Sequence, residues 1–248
     1  MANTCTYDEV LAGNGVFKRD STRSVSVKRM QMKLYKLQYS IGTPDGIFGE
    51  NTKEVLEAFQ TVHGLPVTGE ARDRDLKELD RVMPDTEEEI LGRELTHNEI
   101  INGFTSSKMS QVESLARCIY GEDTINSSGQ CAVAKEIYNR KNSTRTFLQR
   151  DNTWKGYVYG TMIQYEVMTG DASGTKNSRA PDVYTDSWSY CVGLAKLLCE
   201  GRKPSSRLGG QCFHVGKSSS YPSNAVESTK IQIPSGTGNK FYDTISNP

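Results

Sequence analysis

The residue best suited to acid–base chemistry in this sequence is Glu122, which stands at the end of an apolar helical pattern. Apolar residues recur at i, i+3, i+4 and i+7 from Val112 to Ile119, and a second pattern begins at Ala132. Ser127–Gly129 separates the two patterns. A carboxyl group that leaves one buried helix beside another is half enclosed, which is the environment of a general acid. The alternative is a solvated glutamate at a helix end.

Cysteine and histidine offer a weaker alternative chemistry. The chain has six cysteines and three histidines, with no C-x-x-C pair and no histidine near a cysteine pair. We therefore expect buried free thiols, no metal site and no cofactor. A cysteine amidase or peptidase would pair His214 with Cys118, Cys131 or Cys212. Cys118, however, lies within a helical pattern and not at a helix N-terminus, where a thiolate is favoured.

The composition narrows the class of protein. The 248 residues are 35% hydrophobic and 24% charged, and 30 basic residues balance 30 acidic ones. A net charge of zero gives no electrostatic attraction to nucleic acid or to an anionic membrane, so we expect neither as a partner. No apolar run reaches about 18 residues, and the first residues lack the pattern of a signal peptide. We therefore expect synthesis in the cytoplasm.

Two regions of regular pattern and one acidic region organise the chain. Residues 1–80 form the first predicted domain, with an irregular leader and then three short helices centred on Val27–Leu37, Val55–Phe59 and Leu76–Leu79. Residues 81–110 are rich in Asp and Glu and predict a linker. His97 in this linker is interpreted as a surface residue.

The first domain resembles the three-helix type of peptidoglycan-binding domain. The resemblance is carried by the blocks V-K-R-M-Q-M-K-L, D-G-I-F-G-E-N-T, V-L-E-A-F-Q and G-L-P-V-T-G between Val27 and Gly69. Most of these positions serve turns or the core in a physical interpretation. If a muropeptide binds, we expect it beside the turn that contains Asp45, Gly46 and Phe48.

Residues 111–248 predict a second domain of the α+β class. Helical patterns come first and end with Trp188–Cys199, while Trp154–Tyr159 could be strand or turn. Short strands are expected within Gly209–Val215, at Ile231–Ile233 and at Lys240–Tyr242. Helices followed by short strands predict a small antiparallel sheet.

This second domain resembles the cell-wall hydrolase family that includes the SleB-type spore-cortex-lytic enzymes. The blocks that carry the resemblance occur in the family's order: L-A-R-C-I-Y-G-E, G-Q-C-A-V-A, I-Y-N-R, I-Q-Y-E-V, C-F-H-V and G-N-K-F-Y. The resemblance implies a lysozyme-like or lytic-transglycosylase-like fold. The sequence departs from the family pattern at Asp123, at Lys135-Glu136, and near Asn239 and Lys240, where the family has a late histidine.

The resemblance also implies roles for residues. Glu122 matches the catalytic glutamate, which in such enzymes protonates the bond between N-acetylmuramic acid and N-acetylglucosamine and then takes the proton of the muramyl C6 hydroxyl. The implied substrate-binding residues are Tyr120, Gln164, Tyr165, Glu166 and His214. A hydrolytic muramidase would need a second carboxylate about 5 to 10 Å away, for which Glu166 and Asp171 are the candidates. Arg140 is expected to pair with an acid or to cap carbonyls.

Together these resemblances predict a peptidoglycan-degrading enzyme whose partner is the bacterial wall. We expect it to act there after release from the cytoplasm, as a phage-type endolysin does with the help of a holin. The alternative source is a spore enzyme without its signal peptide. Alternative functions are a muramidase, a cysteine amidase or endopeptidase, and a wall-binding protein without activity.

Overall fold

The structure, a computed structural model, divides into two compact units, Met1–Asn98 and Glu99–Pro248. It describes residues 3–96, 99, 109–145, 148, 153–159, 165–168, 175–215, 218–232 and 239–244. Helices dominate both units. None of the described helices has the length and hydropathy that a membrane-spanning segment requires.

The first unit is built from helices, and the three predicted from periodicity are present. Its helices are α1 (Tyr7–Leu11), α2 (Val25–Lys36), α3 (Glu50–Val62), α4 (Asp73–Val82) and α5 (Glu87–Leu91). Their apolar faces meet in one core that includes Val27, Met30, Leu56, Phe59 and Leu76. Burial of these faces stabilises helices that would be too short to persist alone.

The N-terminal segment is a folded part of this unit and not an irregular leader. Thr6 caps α1, and its backbone N–H donates to the Glu9 carboxylate in a capping box. Tyr7 and Val10 are buried in the core, and the Tyr7 backbone N–H donates to Ser26 Oγ over 2.8 Å. The sequence showed no helical period here, because only two residues of this short helix, Tyr7 and Val10, are fully buried.

Residues 83–96 after α4 also form part of this unit, where the composition of residues 81–110 predicted a linker; His97 and residues 100–108 lie outside the described residues. Lys33 on α2 is 1% exposed and forms ion pairs with Asp80 at 2.7 Å and Asp85 at 2.8 Å. Lys36 pairs with Glu89 of α5 at 2.9 Å. The acidic side chains therefore neutralise the basic face of α2 instead of repelling one another in solvent.

The second unit consists of helices followed by a small sheet. Its helices are α6 (Gln111–Glu122), α7 (Ser127–Lys141), α8 (Trp154–Tyr159), α9 (Thr175–Arg179) and α10 (Asp186–Cys199). Trp154–Tyr159, predicted as strand or turn, is thus helical. The strands β1 (Phe213–Val215), β2 (Ile231–Gln232) and β3 (Lys240–Tyr242) pair antiparallel in the order β1-β3-β2. The predicted small antiparallel sheet is confirmed.

Helix α6 is the central element of this unit, because it packs against α7, α8, α9 and α10. The buried guanidinium of Arg117 pairs with Glu113 and donates to the Ser178 carbonyl over 2.8 Å. At Gly121 a Cβ atom would lie 2.0 Å from Ser178 Oγ. Only glycine therefore lets α9 approach the last turn of α6, from which Glu122 projects.

Candidate active site

Glu122 is the last residue of α6, and its side chain is 13% exposed. Its Oε2 lies 3.1 Å from Nε2 of His214, the central residue of β1. The antiparallel register places His214 opposite Phe241 on β3. A helix end and a strand 92 residues later in the sequence thus bring a partly exposed carboxyl group against an imidazole.

The His214 ring contacts a carboxyl group at each nitrogen. Nδ1 lies 2.7 Å from Oε2 of Glu136 on α7. An imidazole can donate through both nitrogens only when it carries a positive charge. Burial lowers the pKa of His214, but Glu136 and Glu122 outweigh burial and raise it to about 10. The two carboxyl groups therefore favour the imidazolium form of His214, which can donate to both of them.

Glu136 is held in turn by Arg140, one helical turn further along α7. The Glu136 side chain is fully buried, and its Oε1 lies 2.8 Å from Arg140 Nη2. Arg140 Nε donates to the carbonyl of Cys212, two residues before His214. Positive and negative groups alternate along the row His214, Glu136, Arg140, so the buried charges compensate one another. The expectation that Arg140 pairs with an acid is confirmed.

Tyr165, one of the predicted substrate-binding residues, lies beside this row of charged side chains. Its side chain is buried. Its ring centroid is 6.0 Å from that of His214, and the Arg140 guanidinium lies 4.9 Å from the Tyr165 centroid. Phe241 contacts the histidine with centroids 5.5 Å apart. Tyr165 is 1% exposed. It therefore packs behind His214 and leaves direct ligand contact to other groups.

Tyr120, predicted to line the same site, lies on a different side of α6. Its ring packs edge-on against Trp188 of α10 with centroids 5.6 Å apart, and its hydroxyl accepts from the Asp182 backbone N–H over 3.3 Å. Residues two apart on a helix do not share a face, so Tyr120 and Glu122 diverge. The structure places Tyr120 in the core. Gln164, Asp171 and the side chain of Glu166 lie outside the described residues.

Asp123 faces away from Glu122 and shapes the turn into α7. Its Oδ1 accepts from the backbone N–H groups of Ile125 at 3.1 Å and Asn126 at 2.9 Å. A Cβ atom on Gly129 would lie 1.9 Å from Asp123 Oδ2. The two adjacent carboxyl groups therefore have separate tasks, and Asp123 is a structural residue.

The cysteines do not form a nucleophilic site. All six are free, and Cys118, Cys131, Cys191 and Cys212 are buried. Burial raises the pKa of Cys118 well above its ordinary value and that of Cys212 to about 11. The Cys131 thiol lies 3.0 Å from the Ser205 carbonyl. Since both His214 nitrogens contact carboxyl groups, the geometry does not support a cysteine nucleophile with this histidine as its base.

Of the three predicted wall-binding residues, only Asp45 is exposed. Its Oδ1 accepts from the Ile47 backbone N–H over 2.8 Å. Gly46 has a φ of +82°, and a Cβ there would lie 2.6 Å from the Ser24 carbonyl oxygen. Phe48 is fully buried in the core. Contrary to the prediction, Gly46 and Phe48 build the turn from inside and do not face a ligand.

The sequence interpretation missed Glu136 as a member of the site. The charge of Glu136 between the apolar residues Val133 and Ile137 was visible, and so was its i, i+4 spacing to Arg140, which predicts an ion pair. The contact with His214 was not visible, because the two residues are 78 positions apart.

Comparison with protein families gives a match within the first unit. The family model of a peptidoglycan binding domain matches residues 23–72, which span α2, the turn that contains Asp45, and α3. Comparison with curated proteins gave no match. The chain thus carries a peptidoglycan-binding module near its N-terminus, and this module indicates association with the cell wall.

Proposed function

We propose that the chain is a peptidoglycan-cleaving enzyme in which Glu122 is the acid and base. The observation that carries the proposal is the partly exposed Glu122 carboxyl group, held against His214 at the end of a buried helix. The peptidoglycan-binding module supports the substrate class. The sequence blocks similar to SleB-type hydrolases support the same reaction class.

The proposed reaction cleaves the β-1,4 bond between N-acetylmuramic acid and N-acetylglucosamine. Glu122 gives a proton to the glycosidic oxygen as the bond from C1 to that oxygen breaks. The resulting carboxylate takes the proton of the muramyl C6 hydroxyl, whose oxygen bonds to C1 and closes a 1,6-anhydro ring. His214 Nε2 donates to Glu122 Oε2, so the proton that is transferred belongs on Oε1.

His214 supports the acid half of this cycle. A cation beside Glu122 stabilises the carboxylate that forms when the leaving group is protonated. The same hydrogen bond fixes the orientation of the carboxyl group. One carboxyl group suffices because the substrate supplies the nucleophile.

Hydrolysis by a muramidase is the alternative outcome at the same residue. It needs a second carboxylate about 5 to 10 Å away to activate water or to attack C1. Glu136 does not serve this purpose, because it is fully buried and contacts Nδ1 on the far side of the His214 ring.

The decisive variant is Glu122→Gln in the full chain, incubated with purified peptidoglycan. We expect release of soluble muropeptides to be lost, because an amide cannot deliver the proton. Glu200→Gln is the matched control, since Glu200 is an exposed glutamate at the end of α10. Full activity of Glu122→Gln would overturn the proposal.

Mass spectrometry of the wild-type products separates the two outcomes. A muramyl end lighter by one water molecule than the hydrolysed end identifies the anhydro product. The hydrolysed mass identifies a muramidase, and new amino termini would identify a peptidase instead.

A further inference from the structure

Glu136 is a buried acid for which the proposed reaction has no direct use. Its side chain is 0% exposed, so it cannot contact a glycan. Burial of a carboxylate is costly unless it is paired and hydrogen-bonded. Its two contacts explain how it is tolerated: Arg140 at Oε1 and His214 Nδ1 at Oε2.

These contacts hold the His214 ring at Nδ1, the nitrogen that does not contact Glu122. Arg140 joins Glu136 to the Cys212 carbonyl, so α7 is linked at two positions to the segment that carries the ring. With Nδ1 directed at Glu136, the other ring nitrogen is directed at Glu122. A histidine whose one nitrogen is held by a carboxylate has its ring orientation and hydrogen positions set by that contact.

We propose that Glu136 is a positioning residue of the Glu122 site: it accepts from Nδ1 of His214 and favours the charged ring, so that Nε2 also carries a hydrogen and donates it to Glu122. The activity readout below rests on the function proposed for Glu122, whereas the spectroscopic readout does not. Without Glu136 the ring loses its anchor, and the Glu122 carboxyl group loses a fixed donor.

The groups around His214 in the described residues balance its charge. Glu122 faces it from α6, and Glu136, itself paired with Arg140, faces it from α7. The rings of Tyr165 and Phe241 cover it. Both carboxyl groups favour the imidazolium, so removing either one lowers the pKa of His214.

Nitrogen-15 NMR of histidine-labelled full-length protein measures this directly. We expect both ring nitrogens of His214 to carry hydrogen throughout the neutral range in the wild type, with Glu122→Gln and Glu136→Gln each lowering the midpoint by about 1 to 3 pH units. His214→Gln assigns the signal among the three histidines. A wild-type His214 that titrates near pH 6.5 would overturn the proposal.

Kinetics on purified peptidoglycan distinguish positioning from general stability. We expect Glu136→Gln to lower kcat by about 10- to 100-fold, as loss of a group that orients a site residue does, while KM stays unchanged because Glu136 does not touch substrate. Glu136→Asp should recover part of the activity.

Glu113→Gln is the matched control. Glu113 also forms an i, i+4 pair with a buried arginine, Arg117, but on the face of α6 toward α9. We expect this variant to lose stability without the shift in the His214 midpoint. An equal midpoint shift in both variants would overturn a specific role for Glu136.

The outcomes separate this proposal from the function of the site. An inactive wild type with a doubly protonated His214 would refute cleavage and leave the positioning geometry standing. An active wild type whose Glu136→Gln variant keeps its kcat and its His214 midpoint would refute positioning alone. If Glu136→Gln does not fold, Arg140→Lys and the wild-type titration decide, because a His214 midpoint unmoved by the weakened anchor would count against the proposal.

Discussion

At the scale of single residues, Glu122 and Asp123 are neighbours with different tasks. Glu122 meets His214 at the surface of the site, whereas the buried Asp123 accepts backbone hydrogen bonds from the turn that precedes α7. The helical pattern allowed the position of Glu122 to be predicted, because a helix end is a local property. The family resemblance placed His214 in the same site, but its contacts with Glu122 and Glu136 could not be predicted, since strand and helix packing brings these residues together over long separations.

Gly121→Ala tests how closely the environment of Glu122 is packed. The added methyl group would meet Ser178 Oγ and Val167, and overpacking of this kind costs about 1 to 3 kcal/mol. We expect a lower melting temperature and reduced cleavage, because the last turn of α6 must shift.

Gly193→Ala is the comparison for that variant. Gly193 lies in α10, and a Cβ there meets nothing within 4 Å. The greater helix propensity of alanine should raise stability by up to about 1 kcal/mol. Equal melting temperatures for the two variants would contradict the close approach at Gly121.

At the scale of elements, periodicity predicted the longer helices and missed the short ones. Helices α2, α3 and α4 show apolar faces that meet in one core. Helices α1 and α5 are five residues each, too short to show a period, and α5 is held to α2 by the ion pair between Glu89 and Lys36. Sequence composition shows acidic residues but not the basic face that they meet.

Asp85 makes the first unit sensitive to acid. Burial raises its pKa, but Arg29 and Lys33 outweigh burial and leave the pKa lowered. Its contribution to stability is therefore present above its unfolded pKa of about 3.9 and is lost as pH falls through the folded value. Urea unfolding of the full chain should show, below about pH 4, a loss of stability in far-UV circular dichroism that exceeds the change in the fluorescence of Trp154 and Trp188, which lie in the second unit.

Asp85→Asn should remove part of that dependence. We expect it to destabilise the first unit by about 1 to 3 kcal/mol at pH 7, because buried Lys33 loses one of its acidic partners. Asp73→Asn, in an exposed pair with Lys77, should change stability by less than about 1 kcal/mol. Similar effects of the two substitutions would contradict a special role for Asp85.

At the scale of the whole molecule, binding and the proposed chemistry belong to different units. Residues 23–72, which match the peptidoglycan-binding family, lie in the first unit, and Glu122 lies in the second. Attachment to an insoluble polymer raises the local concentration of cleavable bonds around a linked site. The family match could be anticipated from sequence blocks, because they encode turns and core positions within one short segment.

This separation predicts that Glu122→Gln still binds the wall. We expect the variant to sediment with purified sacculi as the wild type does, while releasing no muropeptides. Gly46→Ala should instead weaken sedimentation with sacculi, because the Cβ would meet the Ser24 carbonyl and disturb the turn of the matched segment. Loss of sedimentation in Glu122→Gln would contradict independent binding.

The position of Trp188 has a practical consequence. Both tryptophans of the chain, Trp154 and Trp188, lie in helices of the second unit, and Trp188 is fully buried against Tyr120. Indole fluorescence therefore reports on the unit that carries Glu122, whereas the unit that carries the wall-binding match contributes tyrosine emission only. The natural sequence thus provides an optical label by which the unfolding of one unit can be followed without labelling the other.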